Sequence, residues 1–312
     1  MSERIAPSGV LPEARTRGAS MKVLLTGSAG FIGRHLHRAL EERGHHVTTC
    51  DLKAANIGDA LDFFRRDRTP YDLAIHCAAV VGGRASIDGH PLGVATNLAL
   101  DAWYMRWLIA SRTRRAVYFS SSAAYPVDLQ GEDSGHRLHE DDINLAAPRQ
   151  PDATYGLAKL TGEQLVPYAE AEGCRVHVLR PMSGYGADQA LDYPFPSFIQ
   201  RARQKRDPFE IWGTGRQVRD WVHIDDVVGA TLAAIDQDVT GPTNIGTGRA
   251  TSFNELAELV CAEAGYKPKL HHILGAPDGV QYRVADPTRL HSFYQPTVTL
   301  EEGVRRALRS ES

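Results

Sequence analysis

The stretch Thr26-Gly27-Ser28-Ala29-Gly30-Phe31-Ile32-Gly33 decides how the rest of this sequence folds. It follows a short β-rich apolar run at residues 22–26 and opens a helical pattern at residues 30–43. Glycines three residues apart let the chain turn tightly, let a pyrophosphate approach backbone N–H groups, and let the helix pack closely on the sheet. In this setting of strand, turn and helix, the stretch predicts a dinucleotide-binding loop rather than a structural turn without a ligand.

An acidic residue stands where the second predicted strand, residues 46–50, ends. Asp51 lies 18 residues beyond Gly33, close to the spacing of about 20 that is typical of such sites. A carboxylate at this position accepts hydrogen bonds from the adenosine ribose hydroxyls and repels a 2′-phosphate. The expected cofactor is therefore NAD rather than NADP.

Short apolar runs continue to alternate with longer helical patterns after this point. Further strands are predicted at residues 72–76, 116–120 and 175–180, and further helices at 94–111 and 154–172. Such alternation indicates parallel strands joined by crossover helices. The predicted fold class is α/β, a Rossmann doubly wound parallel sheet with a smaller C-terminal substrate-binding lobe.

Changes in composition and apolar periodicity along the chain predict three parts. Residues 1–20 lack apolar periodicity and are expected to form a flexible extension. Residues 21–186 form the expected NAD-binding Rossmann domain, and residues 187–312 mainly the substrate-binding lobe, with a Pro-broken segment at 193–196 and a basic helix around 201–206. Within the lobe, residues 224–248, a helix at 224–235 and a strand at 243–245, are expected to return to the Rossmann domain.

Composition excludes several classes of function. Thirty-five basic residues against 38 acidic ones leave a net charge of −3, so the sequence lacks the basic field that nucleic-acid binding requires. No apolar run approaches the roughly 20 residues of a bilayer span, and the N-terminus does not have the order of a signal peptide. We expect a cytoplasmic protein with neither nucleic-acid nor membrane partners.

Cysteine and histidine usage gives no sign of a metal site. Cys50, Cys77, Cys174 and Cys261 are far apart without a CxxC pair, which favours reduced thiols over a zinc knot or a disulfide scaffold. The 13 histidines show no spacing typical of metal ligands. The expectation is no bound metal.

A tyrosine and a lysine stand one helical turn apart at the start of a predicted helix. The i, i+4 spacing of Tyr155 and Lys159 puts the phenol and the ammonium on one face. Upstream, Ser120-Ser121-Ser122 closes a predicted strand and Asn97 lies in the preceding helix. A phenol near pKa 10 is a poor base at pH 7, but a neighbouring ammonium and a nicotinamide cation favour the phenolate. These are the parts of a hydride-transfer site.

Taken together, these motifs resemble the extended short-chain dehydrogenase/reductases that act on nucleotide sugars, over residues 21 to about 308. The resemblance implies that Ser121 hydrogen-bonds the sugar hydroxyl, Tyr155 is the acid/base, and Lys159 holds the nicotinamide ribose. It also implies a homodimer through helices near residues 97–110 and 155–170, although Trp103, Tyr104 and Trp107 could equally be core residues.

The same resemblance carries cofactor roles onto GDA at residues 58–60, HCAA at 76–79, and RPMSGYG at 180–186, where Ser183 stands in place of the family's usual Asn. The expected cofactor-binding residues are Gly27, Ala29, Gly30, Phe31, Ile32, Gly33, Asp51, Asp59, Ala60, Cys77, Ala78, Ala79, Asn97, Tyr155, Lys159, Arg180, Pro181 and Ser183.

A substrate clamp is expected in VRDWVHIDD at residues 218–226, which is similar to the family's RDFxHVDD. An arginine fork suits a diphosphate, so Arg219 is the expected clamp, with surface pairing to Asp220 as the alternative. The expected substrate-binding residues are Val81, Gly82, Ser121, Ser122, Ala123, Tyr155, Ser183, Tyr193, Trp212, Arg219 and Arg283.

Two stretches resemble one branch of the family more narrowly. AAVVGG at residues 78–83 and PDG at 277–279 look like the GDP-fucose synthase and GDP-mannose 3,5-epimerase branch. The position of that branch's catalytic cysteine is Ala123 here, and its second acid/base falls near Tyr193. The dehydratase version places Asp and Glu where Ser122 and Ala123 stand. Neither proton abstraction at sugar carbons nor elimination of water is therefore supported.

The sequence leaves three functions open. The leading hypothesis is NAD-dependent C4 epimerisation of a nucleotide sugar with Tyr155 as acid/base. The second is reduction of a nucleotide 4-ketosugar. The third belongs to another class, a non-catalytic NAD-binding sensor or scaffold, which the Ser121, Tyr155 and Lys159 set argues against.

Overall fold

The computed structural model describes residues 20–51, 58–132, 134–276 and 279–310. The expected extension at residues 1–20 lies outside these ranges except for Ser20, and so do Pro277 and Asp278 of the PDG stretch. Asp59 belongs to a helix, but its side chain is outside the described part of the chain, so its expected cofactor role stays a prediction.

The strands of the described chain are β1 Lys22–Thr26, β2 His46–Cys50, β3 Leu73–His76, β4 Arg115–Phe119, β5 Arg137–Leu138, β6 Arg175–Pro181, β7 Ser183–Tyr185, β8 Phe209–Trp212, β9 Val218–Arg219, β10 Trp221–His223, β11 Thr243–Ile245, β12 Thr251–Ser252, β13 Leu270–Ile273 and β14 Tyr282–Ala285.

The helices of the described chain are α1 Phe31–Glu42, α2 Gly58–Arg66, α3 Arg84–Gly89, α4 Pro91–Ala95, α5 Asn97–Ser111, α6 Ala153–Ala171, α7 Pro194–Arg203, α8 Ile224–Asp236, α9 Phe253–Glu263, α10 Thr288–His291 and α11 Leu300–Arg309. Single-turn 3₁₀ helices span Ser122–Ala124, Val127–Leu129 and Glu140–Asp142.

A parallel sheet organises the first part of the chain. Among the described residues it has six strands in the order β11-β6-β4-β3-β1-β2, with every neighbouring pair parallel. Both faces are covered, because Val23 and Leu25 pack into one apolar cluster with α1 and α8, and Leu24 packs into another with α2, α5 and α6. Burial on both faces explains why β1 is a near-continuous apolar run. The Rossmann prediction is confirmed.

The topology fixes where a ligand can bind. β1 lies between β2 and β3, so the chain forms β2 on one side of β1 and then crosses back to form β3 on the other side. In open α/β sheets, ligands bind outside the carboxyl ends of the strands at such a switch point. The glycine-rich loop follows β1 there, and the HCAA segment follows β3.

A smaller lobe covers this edge of the sheet. Its core is a separate cluster built from α7, α9 and α11 together with aromatic side chains of the neighbouring strands, including Tyr185, Phe209 and Trp221. Small sheets of two and four strands accompany it, in the orders β10-β7, β13-β8 and β12-β9-β14-β5. The lobe therefore adds a second wall to the ligand-binding edge.

The segment expected to be broken by proline in fact starts a helix. α7 begins at Pro194 and ends at Arg203, whereas the sequence predicts a helix only around residues 201–206. Proline suits the first helical turn, because its missing N–H needs no partner there and its fixed φ matches the helix. The prolines thus set the start of α7.

The helix expected at residues 94–111 is interrupted near its start. Thr96 separates α4 from α5, and its hydroxyl donates to the carbonyl of Gly93 at 2.6 Å. The chain becomes helical earlier than expected, at Pro91, again with proline in the first turn.

Within the residues that the structure describes, no helix combines the length and the apolar character needed to cross a membrane.

Candidate functional site

One cavity of about 760 Å³ lies at the carboxyl edge of the sheet, against the lobe. Its volume is within the range typical of small-molecule sites. The residues expected from sequence that line it are Gly27, Ala29, Gly30, Phe31, Ile32, Gly33, Asp51, Cys77, Ala78, Ala79, Val81, Gly82, Ser121, Ser122, Ala123, Tyr155, Lys159, Pro181, Ser183, Tyr193, Trp212, Arg219 and Arg283.

The glycine-rich loop has the geometry of a phosphate cradle. Gly27 has φ +73°, and a Cβ built on it would lie 2.6 Å from the Ala78 backbone nitrogen. A Cβ on Gly33 would lie 1.9 Å from the Gly27 carbonyl oxygen. Glycine at position 27 therefore lets the loop approach Ala78, and glycine at position 33 lets α1 pack on the loop. Gly30 caps α1 without a side-chain hydrogen bond, which leaves the first-turn N–H groups available to an anion. This loop fits a dinucleotide pyrophosphate.

Asp51 is tied to the same loop. Its Oδ2 accepts a hydrogen bond from the Ser28 hydroxyl at 2.6 Å, and its Oδ1 accepts one from the Ala29 backbone N–H at 2.9 Å. Each carboxylate oxygen has a second lone pair, so the side chain can also accept from ribose hydroxyls. Asp51 therefore serves both as a support for the loop and as the expected ribose partner.

We expect NAD to bind at least about tenfold more tightly than NADP, about 1.4 kcal/mol, and Asp51→Asn to narrow this ratio. The substitution keeps the side-chain size and an acceptor for Ala29 but removes the charge that repels a 2′-phosphate. Calorimetric titration with NAD and with NADP measures the ratio of the two affinities. Asp188→Asn is the matched control, because Asp188 pairs with Arg34 and does not line the cavity. Equal affinities in the unaltered protein would contradict the role given to Asp51.

The phenol expected to act as acid/base lies in the first turn of α6. Burial raises the pKa of Tyr155, the negative charge of Asp101 raises it further, and the hydrogen bond with Ser121 lowers it. Ser121 is itself positioned by the 3₁₀ turn that follows β4, where its hydroxyl accepts from the Ala123 N–H at 3.1 Å. The groups of the chain keep Tyr155 protonated at pH 7, so a positive charge must come close before it can act as a base.

Lys159 lies one turn further along α6. Its side chain is only 2% exposed, and its ammonium lies 3.6 Å from Asp101 Oδ2 and 5.0 Å from the centre of the Tyr118 ring. Tyr155 and Lys159 were expected on one helix face, and both line the cavity. Asp101 was not among the expected site residues.

Guanidinium groups gather at the lobe end of the cavity. Arg283 donates from Nε to Gln130 at 2.6 Å and from Nη2 to Asp152 at 2.8 Å. Arg219 lies over the Phe253 ring, with its guanidinium carbon 5.5 Å from the ring centre. The alternative of surface pairing with Asp220 does not hold, because Asp220 is fully buried and accepts from Thr247, Gly248 and Ala285.

Arg84, which was not among the site residues expected from sequence, joins these two arginines. Its Nη1 donates to Asp152 at 2.7 Å and its Nε to Asp88 at 2.7 Å. A Cβ on Gly279 would lie 3.5 Å from Nη1 of Arg84 and 3.7 Å from Nη2 of Arg219, so the two guanidinium groups are neighbours. In the sequence, only the position of Arg84 directly after the VGG segment pointed to a role in the site. For its partner Asp152, the corresponding sign was its position three residues before Tyr155.

Asp192 is a further cavity residue that sequence reasoning missed. Its carboxylate accepts from the Gly83 N–H at 2.9 Å, and a Cβ on Gly83 would lie 2.2 Å from the Asp192 carbonyl oxygen. The second glycine of the VGG segment thus permits close approach of this loop. The contact joins residues 109 apart in sequence, which no local pattern reveals.

Three residues expected to bind the cofactor do not line the cavity. Ala60 is buried in the apolar cluster behind β3. Asn97 is buried, accepts from the Val80 N–H and donates to the Val80 carbonyl, so it shapes the 80–83 loop from behind. Arg180 is 1% exposed, and its guanidinium donates to Glu163, the Tyr125 hydroxyl and the Glu140 carbonyl. Its role is structural.

Comparisons with known proteins agree with this geometry. The model of the NAD-dependent epimerase/dehydratase family matches residues 23–246. The chain is similar to GDP-mannose 3,5-epimerase of Arabidopsis thaliana, with 30% identity over 92% of this chain and 81% of that protein. It is similar to dTDP-4-dehydro-6-deoxy-D-allose reductase of Streptomyces bikiniensis, with 30% identity over 93% and 97%. Among solved structures, UDP-glucose 4-epimerase of Thermotoga maritima with UDP-glucose has a TM-score of 0.77 and 25% identity, over 92% and 97% of the two chains.

Proposed function

The chain belongs to the NAD-dependent epimerase/dehydratase family, and from this premise we propose that it epimerises a nucleotide sugar at C4. It is an NAD-dependent enzyme of nucleotide-sugar chemistry, so the proposal concerns which reaction it performs. The supporting observation is that Ser121, Tyr155 and Lys159 line one cavity with the glycine-rich loop.

Among the described residues that line this cavity, Ala123 and Tyr193 stand at the two positions that the 3,5-epimerase branch would use for proton abstraction at carbon. The methyl group of Ala123, a residue 7% exposed, stands at the position of that branch's cysteine. Burial raises the pKa of the Tyr193 phenol, and the nearby Tyr155 and Asp192 raise it further. A methyl group and a neutral phenol cannot remove a proton from carbon beside a ketone at pH 7.

Each of these residues has a separate role in the proposed reaction. NAD, when bound, supplies a hydride acceptor and donor. Tyr155 removes the proton of the C4 hydroxyl and later returns it, while Ser121 hydrogen-bonds the same hydroxyl. Lys159 holds the nicotinamide ribose, and Arg219 and Arg283 bind the diphosphate so that the sugar is held near Tyr155.

Reduction of a 4-ketosugar remains the second candidate, since the Streptomyces bikiniensis relative is named as a reductase. A reductase consumes NADH in proportion to product, whereas an epimerase consumes none in net. A non-catalytic sensor would convert no nucleotide sugar at all.

The test is turnover of UDP- and GDP-hexoses in deuterated water, with UDP-glucose and GDP-mannose as the first probes. We expect a C4 epimer that retains its C4 hydrogen and has no deuterium at C3 or C5, read by NMR and mass spectrometry. Tyr155→Phe, which lacks the proposed acid/base, is the negative control for turnover. Deuterium at C3 or C5 would contradict the proposal and point to Asp192, the cavity carboxylate beside Tyr193.

We also propose that the protein is a cytoplasmic homodimer associated through α5 and α6. Ile109, Leu157 and Tyr168 on these helices are large apolar side chains that are 40%, 45% and 72% exposed. Tyr104 and Trp107 do not belong to this surface, because both are buried in the core.

A further inference from the structure

A buried carboxylate lies behind the reaction site. Asp101 is 1% exposed in α5, and its Oδ2 lies 3.6 Å from the ammonium of Lys159. We propose that Asp101 is a positioning residue that holds the Lys159 ammonium one helical turn from Tyr155 and offsets its charge there, so that ionisation of Tyr155 depends on the cofactor's positive charge. The proposal rests on the roles proposed above for Tyr155 and Lys159.

Two hydrogen bonds, in addition to the ion pair with Lys159, fix Asp101 in place. The Tyr118 hydroxyl donates to Oδ2 at 2.5 Å, and Nε2 of His76 lies 3.0 Å from Oδ1. A Cβ on Gly162 would lie 1.9 Å from the Tyr118 hydroxyl oxygen and 3.1 Å from Asp101 Oδ2. Glycine at this position, on the same helix as Lys159, therefore makes room for the contact.

The protonation states follow from these contacts. Burial alone would raise the pKa of Asp101, but the charge of Lys159 and the hydrogen bonds from His76 and Tyr118 outweigh it and lower the pKa. Burial lowers the pKa of His76, so its ring is neutral at pH 7. Because an ionised Asp101 can only accept, His76 carries its proton on Nε2.

The network reaches the cofactor loop. His76 Nδ1 accepts from the Thr26 hydroxyl at 2.7 Å, and that hydroxyl accepts from the Ala78 N–H at 3.3 Å. Thr26 is the last residue of β1, directly before Gly27. The His76 ring is held flat against Tyr104, with the ring centres 4.2 Å apart. Asp101 thus connects Lys159 to the wall of the pyrophosphate loop.

Other titratable groups around the pair do not replace Asp101 in this effect. Burial raises the pKa values of the Tyr104 and Tyr118 phenols and of the Cys77 thiol, so all three stay neutral at pH 7. Glu163, one turn after Lys159 on α6, is paired with Arg180 at 2.6 Å.

On the cavity side, Tyr193 keeps its proton as well, because burial raises its pKa. Asp101 is the charged group whose field raises the pKa of Tyr155.

Removing the Asp101 charge should shift the pKa of Tyr155 in a definite direction. In Asp101→Asn the side chain keeps its size, but the negative charge that disfavours the Tyr155 phenolate is gone, and the Lys159 ammonium, where present, is no longer offset. The pKa of Tyr155 should fall. If Asp101 merely held α5, α6 and β3 together, loosening these elements would lower the pKa of Tyr155 by exposing the phenol. A variant that loosens the same contacts but keeps the Asp101 charge would then show the same shift.

The experiment is a near-ultraviolet absorbance titration of the phenolate in the full chain, with and without NAD. Each variant is compared with the same variant carrying Tyr155→Phe, so that the difference isolates Tyr155 among the 11 tyrosines. We expect Asp101→Asn to lower the pKa of Tyr155 by at least about one unit, tenfold in the ionisation equilibrium. An equal or higher pKa in a folded Asp101→Asn protein would overturn the proposal.

Two further variants keep the test decisive. Tyr118→Phe removes a hydrogen bond from Asp101 but not its charge, and is expected to leave the pKa of Tyr155 within about 0.3 unit; the same downward shift in both variants would indicate a structural role. If Asp101→Asn does not fold alone, Asp101→Asn with Lys159→Met is compared with Lys159→Met. The double variant should have a Tyr155 pKa at least about one unit lower; no difference would overturn the proposal.

The titration needs no sugar, so its failure is separable from failure of the proposed function. A protein that titrates as expected but makes no C4 epimer contradicts the epimerase proposal alone. A protein that epimerises with an unshifted Tyr155 pKa in Asp101→Asn contradicts the role of Asp101 alone.

Discussion

Tyr155→Phe is expected to lower turnover at least about a thousandfold while NAD affinity changes by no more than about threefold. The substitution removes the oxygen that takes and returns the C4 hydroxyl proton, and it leaves the ring packed in the first turn of α6. Steady-state kinetics with a converted nucleotide sugar and calorimetry with NAD measure the two quantities separately.

Tyr193→Phe is the matched control for this experiment. It removes a second phenol from the same cavity, one with no acid/base role in the proposal, and should lower turnover by no more than about tenfold. Activity that survives Tyr155→Phe and disappears in Tyr193→Phe would move the acid/base role across the cavity.

Glu163→Ala is expected to lower the free energy of unfolding by about 3–5 kcal/mol. Glu163 and Arg180 are 2% and 1% exposed, and the two guanidinium contacts measure 2.6 and 2.9 Å. Removing the carboxylate leaves a buried guanidinium without a counter-charge, and it also removes the acceptor of the Ser120 hydroxyl. Urea denaturation followed by circular dichroism measures the loss.

The control is replacement of both partners, Glu163→Leu with Arg180→Met. Because this change buries no unpaired charge, the double variant should lose much less stability than Glu163→Ala alone. A loss under about 1 kcal/mol in Glu163→Ala would mean that water or a nearby group compensates Arg180.

Local sequence was sufficient for the framework of the fold and for the cofactor side of the site. β1, β2 and β11 have the bounds expected from sequence. For β1 the reason is that a buried parallel strand is a short apolar run between turn residues. Gly27 and Gly33 could be interpreted from spacing alone, since only glycine allows the close backbone approaches found there.

Sequence similarity to a family could also mislead at single positions. Arg180 lies in a motif that suggested a cofactor contact, yet its guanidinium is turned away from the cavity into a pair with Glu163. Nothing in the motif distinguishes these two directions, because the decision depends on which face of β6 meets α6. Asn97 illustrates the same point, as it shapes the cavity loop from behind.

The α/β architecture, the position of the pyrophosphate loop, and the placement of Tyr155 and Lys159 on one helix face could all be predicted from the sequence. These features depend on residues a few positions apart, whose geometry follows from strand and helix periodicity. Which charges meet became visible in the folded chain: Arg283 pairs with Asp152, 131 residues away, Arg84 lies beside Arg219, and Asp101 lies behind Lys159. A buried charge needs a partner, and the packing of whole elements against one another determines which residue is close enough to be that partner.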